Sequence, residues 1–144
     1  MVQDLFQQSG YNVFNFGLER LHPALSKLIA TNYQKTGKAL RFMPDFVVQS
    51  SINGDLFYLE VKFRSNGTFC FDENYKNYPY LNAWFVIVSP TKIQAMHYKR
   101  LKEGYAITNS SNYSLLKIKS FHISSELLKD YEYYCTMLFA SFRR

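Results

Sequence analysis

The spacing of apolar residues divides the chain into segments of different period. Over residues 2–9, Val2, Leu5 and Phe6 fall on one side of a helix, and Gly10 supplies a stop signal. From Tyr11 to Phe16 polar and apolar residues alternate, which predicts a short strand, punctuated by Gly17. Leu18, Leu21, Leu25, Leu28 and Ile29 return to helical spacing and predict a helix over residues 18–32. Pro23 lies inside that pattern and moves the expected start toward His22. A polar, basic loop at 34–38 then leads into two apolar runs, 41–48 and 56–64. The Asn53-Gly54 pair between them is a strong hairpin signal.

Beyond the hairpin, Ser65-Asn66-Gly67 predicts a turn and residues 68–71 a third strand of the same meander. Asp72 is placed to cap a short helix reaching Tyr78, with Glu73 in its first turn and Pro79 ending it. Residues 83–89 are continuously apolar and β-branched, as in a strand covered on both faces. After a turn at 90–92, residues 93–98 alternate like a neighbouring strand with one wetter face. Residues 99–112 are irregular, with an exposed loop expected at Asn109-Ser110-Ser111-Asn112. Residues 113–123 have strand character. Ser124 or Ser125 caps a final helix whose apolar face is Leu128, Tyr131, Cys135, Leu138, Phe139 and Phe142, packed on the sheet. The order predicts an α/β (α+β) fold with a central mixed β-sheet flanked by helices.

Composition narrows this modestly. At 144 residues the chain is expected to form a single domain. Its 12 tyrosines and 13 phenylalanines can fill a core or stack on bases. The net charge of +6 favours an anionic partner. It is concentrated: residues 91–119 hold Lys92, Lys99, Arg100, Lys102, Lys117 and Lys119 against Glu103 alone. Cys70 and Cys135 are too few for a disulfide framework and are expected as free, buried thiols of a reducing compartment. The N-terminus lacks signal-peptide features and no apolar run has membrane-spanning length. The expectation is therefore a soluble, intracellular (cytoplasmic) protein without a membrane partner. His22, His97 and His122 lack metal-binding spacing and are expected as surface or satisfied core residues.

Three ionisable residues interrupt the otherwise buried hairpin: Asp45, just after Pro44, and Glu60 and Lys62, which alternation places on one face of their strand. Read structurally, Asp45 caps a turn while Glu60 and Lys62 form a same-face pair. Against that, the run 56–63 reads as an interior strand, where charge without a partner is costly.

Pro44-Asp45 followed by Glu60-Val61-Lys62 resembles the PD-(D/E)xK nuclease superfamily, the restriction-endonuclease-like and Holliday-junction-resolvase-like enzymes. That family's core is a helix, a three-strand meander, a second helix and a further strand, with the motif on the second and third strands. The resemblance covers roughly residues 18–90. It implies a single nuclease-like domain with a core at about 18–98 and a C-terminal elaboration at 99–144.

It further implies an Mg²⁺- or Mn²⁺-dependent endonuclease acting on DNA, often as a homodimer. Asp45, Glu60 and the Val61 carbonyl would hold the metal. Lys62 would activate water or stabilise charge, with a pKa lowered by the metal and by partial burial. Glu19 is the candidate for the glutamate that the family often adds from its first helix, and Tyr75 and Lys76 stand where some relatives place a further side chain. Lys38, Arg41, Arg64, Lys76, Lys92, Lys99, Arg100 and Lys102 are the candidates for phosphate contact. The alternatives are a catalytically inactive nuclease-like nucleic-acid-binding or accessory subunit, and a protein-interaction domain using its aromatic surface.

Overall fold

A computed structural model describes residues 1–15 and 43–142. The helix expected at 18–32, the loop at 34–38, and Phe16, Glu19, His22, Lys38 and Arg41 lie outside the described residues. Within them the elements are α1 (Val2–Gln8), β1 (Tyr11–Asn15), β2 (Phe46–Ser50), β3 (Leu56–Phe63), β4 (Ala83–Val88), β5 (Ile93–His97), α2 (Tyr98–Lys102) and α3 (Ser125–Ser141). Two 3-10 turns, Glu73–Tyr75 and Leu115–Lys117, punctuate the connections.

The strands form one five-stranded mixed sheet in the order β1-β2-β3-β4-β5. β1, β2 and β3 are an antiparallel meander, β4 runs parallel to β3, and β5 returns antiparallel to β4. The coarse α+β expectation is met. The β2–β3 hairpin closes through 51–55, where Gly54 adopts φ 77°, a conformation that glycine reaches at least cost.

Strand alternation sorts the apolar residues into two cores, one on each face of the sheet. On the first face Phe57, Leu59, Val86, Val88, Ile93 and Ala95 meet α1 through Val2, Leu5 and Phe6. They also meet α3 through Leu128, Tyr131, Cys135 and Phe139. Both ends of the chain thus share one core. Gln8 Nε2 donates to the Tyr131 hydroxyl at 2.9 Å, and that hydroxyl donates to Asp4. Ser124 caps α3, its hydroxyl accepting from Leu127 N–H at 3.1 Å.

On the second face Phe85, Ile87 and Met96 pack against Phe69, Tyr78, Tyr98, Leu101 and Ile107. No regular helix longer than α2 covers this side among the described residues.

Several local expectations are corrected. Residues 68–71 are not a strand of the meander, because β4 occupies the free edge of β3. Phe69 instead makes a single bridge to Ile107. The helix after Asp72 is only the turn Glu73–Tyr75, although Asp72 caps it as expected, accepting from Asn74 N–H at 2.9 Å. β5 has no wetter face: Gln94 is buried and meets the Thr108 carbonyl, the Ser111 hydroxyl and Tyr113 N–H.

The segment after β5 begins with α2 rather than irregular chain, because His97 caps it by accepting from Lys99 N–H. Residues 113–123 leave the sheet after one bridge, Gln94 to Ser114, where Ser114 turns the chain by capping Leu115–Lys117. Phe142 is 72% exposed, since α3 ends at Ser141. Cys135 is free and buried as expected, but Cys70 is exposed. His97 and His122 are satisfied: His122 bonds Ser50 Oγ at 2.8 Å and stacks on Tyr11. Among the described residues, no helix is long and apolar enough to cross a membrane.

Candidate functional site

The hairpin register decides whether the two halves of the charged constellation meet. β2 begins at Phe46, paired with Leu59, so Asp45 stands one step before the ladder, beside Glu60. At that point β2 no longer offers a carbonyl to Val61, and the Asp45 side chain takes the place: Val61 N–H donates to Asp45 Oδ2 at 2.8 Å. In an extended strand the N–H and C=O of one residue face the same side, so the Val61 carbonyl looks toward the same edge as Asp45.

Glu60 and Lys62 project from the second face of β3, next to Phe85 and Ile87 of β4 in register. Their charged groups form an ion pair at 3.1 Å, with side chains 13% and 23% exposed. At that burial the pair is well shielded from solvent, unlike a pair on an open surface. Lys62 also lies 5.9 Å from the centre of the Tyr75 ring.

Partial burial alone does not leave the Lys62 pKa lowered. Burial pulls it down, but the Glu60 carboxylate, and after it Tyr75, more than offset burial and hold Lys62 above the ordinary lysine value.

The Tyr75 backbone is itself fixed, its carbonyl accepting from the buried Tyr98 hydroxyl at 2.6 Å. Tyr78 lies beneath the constellation, 3% exposed. Its phenol pKa is pushed far up by burial, then by Glu60, Tyr75, Tyr80 and Asp45 around it. One hydroxyl therefore feels both carboxylates.

Sequence reasoning placed Tyr75 near the site and missed Tyr78. No local pattern marks Tyr78, which lies past the Glu73–Tyr75 turn.

The remaining candidates are dispersed. Arg64 donates to the Phe63 carbonyl at 3.1 Å and lies over the Phe69 ring. Lys76 is exposed, just past the turn that carries Tyr75. Lys99, Arg100 and Lys102 are exposed on α2, with Arg100 stacked over Tyr105 at 4.4 Å. Lys92 has a structural task instead, donating to the Asn109 and Ser111 carbonyls at 2.7 and 2.9 Å.

Two carboxylates and a peptide carbonyl are oxygen donors of the kind a hard divalent cation takes, with water completing its shell. The donor set at Asp45, Glu60 and Val61 therefore fits such an ion. Among the described residues, no group of three or more His, Cys, Asp or Glu side chains is placed to hold one. No protein-family model matches the chain, and no curated protein or solved structure is significantly similar to it.

Proposed function

We propose that the chain is a metal-dependent nuclease of the PD-(D/E)xK type that hydrolyses DNA phosphodiester bonds. The observation that carries this reading is the 2.8 Å hydrogen bond from Val61 N–H to Asp45 Oδ2. It joins the residue after Pro44 to the middle of Glu60-Val61-Lys62, the two halves of the motif. The strand order supports the same reading: an antiparallel meander, a connection, then a strand parallel to the third is compatible with a restriction-endonuclease-like core.

In this reading Asp45, Glu60 and the Val61 carbonyl would hold Mg²⁺ or Mn²⁺. A bound ion of this kind polarises the phosphoryl oxygen and lowers the pKa of its water. Lys62 would place a positive charge facing the anion that develops on the phosphoryl group, or orient the attacking water. The Tyr75 ring lies beside the ammonium, and the Tyr98 hydroxyl holds the Tyr75 carbonyl.

The test is incubation of the purified chain with supercoiled, single-stranded and branched DNA in Mg²⁺, Mn²⁺ or chelator. Metal-dependent cleavage that disappears in Asp45→Ala and Glu60→Ala supports the reading. Tight DNA binding with no metal-dependent cleavage of any substrate overturns it.

One observation favours a second reading, a nuclease-like fold that only binds nucleic acid. Asp45 and Glu60 already have protein partners, Val61 N–H and Lys62, which hold both carboxylates in place without a metal. Titration with Mn²⁺ separates the two: saturable binding lost in Asp45→Ala belongs to the enzyme, and its absence to the binding module.

A further inference from the structure

Beside Tyr75 the second face opens into a cleft of about 320 Å³. Its walls are Arg64, Thr68, Cys70, Asp72, Asn74 and Tyr75, over Phe69. It shares Tyr75 with the Lys62 site, so a molecule seated in it lies next to the charged constellation. We propose that this cleft takes one unpaired nucleobase of the strand bound at Lys62, which makes single-stranded or locally opened nucleic acid the substrate class. The proposal rests on the nuclease reading for the strand's position.

The chemistry of the walls separates a base from a phosphate. Asp72 would repel a phosphate, whereas a carboxylate suits the exocyclic amino group of a base. The Asn74 amide carries both donors and acceptors, and the Thr68 hydroxyl, which donates to the Asn66 carbonyl at 3.4 Å, adds an acceptor, the mixture that base edges present. One Arg64 nitrogen is engaged by the Phe63 carbonyl at 3.1 Å, and the guanidinium has further N–H donors. The flat surfaces are there as well: the Tyr75 ring forms one wall and the Arg64 guanidinium lies 5.7 Å from the Phe69 centroid. Base stacking on such surfaces tolerates sequence. A volume near the lower limit of ordinary ligand pockets suits one base rather than a duplex. A paired base has its edge occupied and its faces stacked, so it must leave the helix to enter.

Cys70 gives a readout inside the cleft, and buried Cys135 an internal reference. The full chain is mixed in chelator with a fluorescent single-stranded oligonucleotide, or with the duplex of the same sequence. Binding is set to equal occupancy by anisotropy, and alkylation of Cys70 by a small maleimide is timed by mass spectrometry.

The expected result is slowing of Cys70 alkylation, on the order of tenfold, by the single strand and much less by the duplex. Arg64→Met should weaken single-strand affinity on the order of tenfold. Binding without protection of Cys70, or equal protection by both forms, overturns the cleft while leaving the nuclease reading standing. Protection by the single strand without metal-dependent cleavage supports the cleft and overturns the nuclease reading. Failure of every nucleic acid to bind overturns both.

Discussion

The two faces of the sheet are built by different means. The first is closed by α1 and α3, whose aliphatic and aromatic stripes interlock with alternate residues of β3, β4 and β5. Among the described residues the second is closed by α2 and by short turns and loops, which carry Phe69, Tyr75, Tyr78, Tyr80 and Tyr98. Its rings form a connected aromatic cluster, with Tyr78 within 5.1–5.6 Å of Tyr75, Tyr80, Phe85 and Tyr98. Every charge of the candidate site lies at the rim of this second core. Regular helices give the first face its stability through burial. Tyrosines on the other face supply apolar area together with hydroxyls that can hold charged neighbours.

The sharpest way to break that contrast is to damage each face and compare stability with activity. Phe6 is fully buried and meets Tyr11 and Phe121 edge to face at 5.2 and 5.3 Å. Phe6→Ala is expected to cost about 3–5 kcal/mol of unfolding free energy in urea titration. Metal-dependent cleavage at low temperature should survive in whatever fraction stays folded.

Lys62→Met damages the second face. It keeps the stem volume and removes the charge, so cleavage should fall about 10²–10³-fold, measured as the initial nicking rate. Because the shielded Glu60 carboxylate loses this cation, the unfolding midpoint should fall as well. A rate loss no larger than the unfolded fraction explains would mean that Lys62 is structural.

Tyr98→Phe comes next, at about 0.5–1.5 kcal/mol, because it removes the 2.6 Å hydrogen bond to the Tyr75 carbonyl, which keeps its bond from Tyr78 N–H at 3.1 Å. Since the Tyr75 ring lies beside Lys62, the same variant should also lower the cleavage rate, and Tyr11→Phe on the first face should not. Tyr11 donates to the Ser120 carbonyl at 3.0 Å and has no contact with the site.

The contrast also explains what could be read from sequence. α1, the β2–β3 hairpin, β4 and α3 each follow from one dominant local signal: helical spacing with a stop, Asn53-Gly54, a continuous apolar run, and a Ser124 cap. All of these build or border the first face. The second face depends on edges and side-chain caps that no local period reveals. Residues 68–71 have strand-like composition, but β4 holds the edge they would need. α2 starts on a histidine cap, a weaker signal than serine or aspartate, and Ser114 diverts a β-like stretch into a turn.

The site divides the same way. Asp45, Glu60 and Lys62 were legible because charge interrupting a buried hairpin is conspicuous. Tyr78 was hidden because a tyrosine among many carries no distinguishing pattern.

His97 stands where the two faces join, and its titration offers the finest test of their coupling. It ends β5 and packs edge-on against Trp84 of the first face, while the helix it caps carries Tyr98 and Leu101 into the second core. Nε2 is 3.3 Å from Asn82 Oδ1 and Nδ1 accepts from Lys99 N–H, an arrangement that requires the neutral ring with its proton on Nε2. Burial first, and then the Lys99 charge, hold its pKa below the ordinary histidine value.

The unfolded chain therefore binds this proton more readily than the folded one. Stability is fully present above about pH 6.5 and is lost as pH falls from there through the lowered folded pKa. Protonation puts a hydrogen on Nδ1 and removes the cap of α2, a loss of about 0.5–1 kcal/mol. His97→Asn keeps a capping acceptor without the titration. In urea unfolding between pH 7.5 and 5, it should flatten this part of the stability slope and leave stability at pH 7.5 nearly unchanged. If the cores are coupled through α2, the wild-type loss will appear in one cooperative transition, and the Tyr98→Phe variant will show it at the same pH. An unchanged slope in His97→Asn would assign the pH dependence to other groups and remove His97 as the joint between the faces.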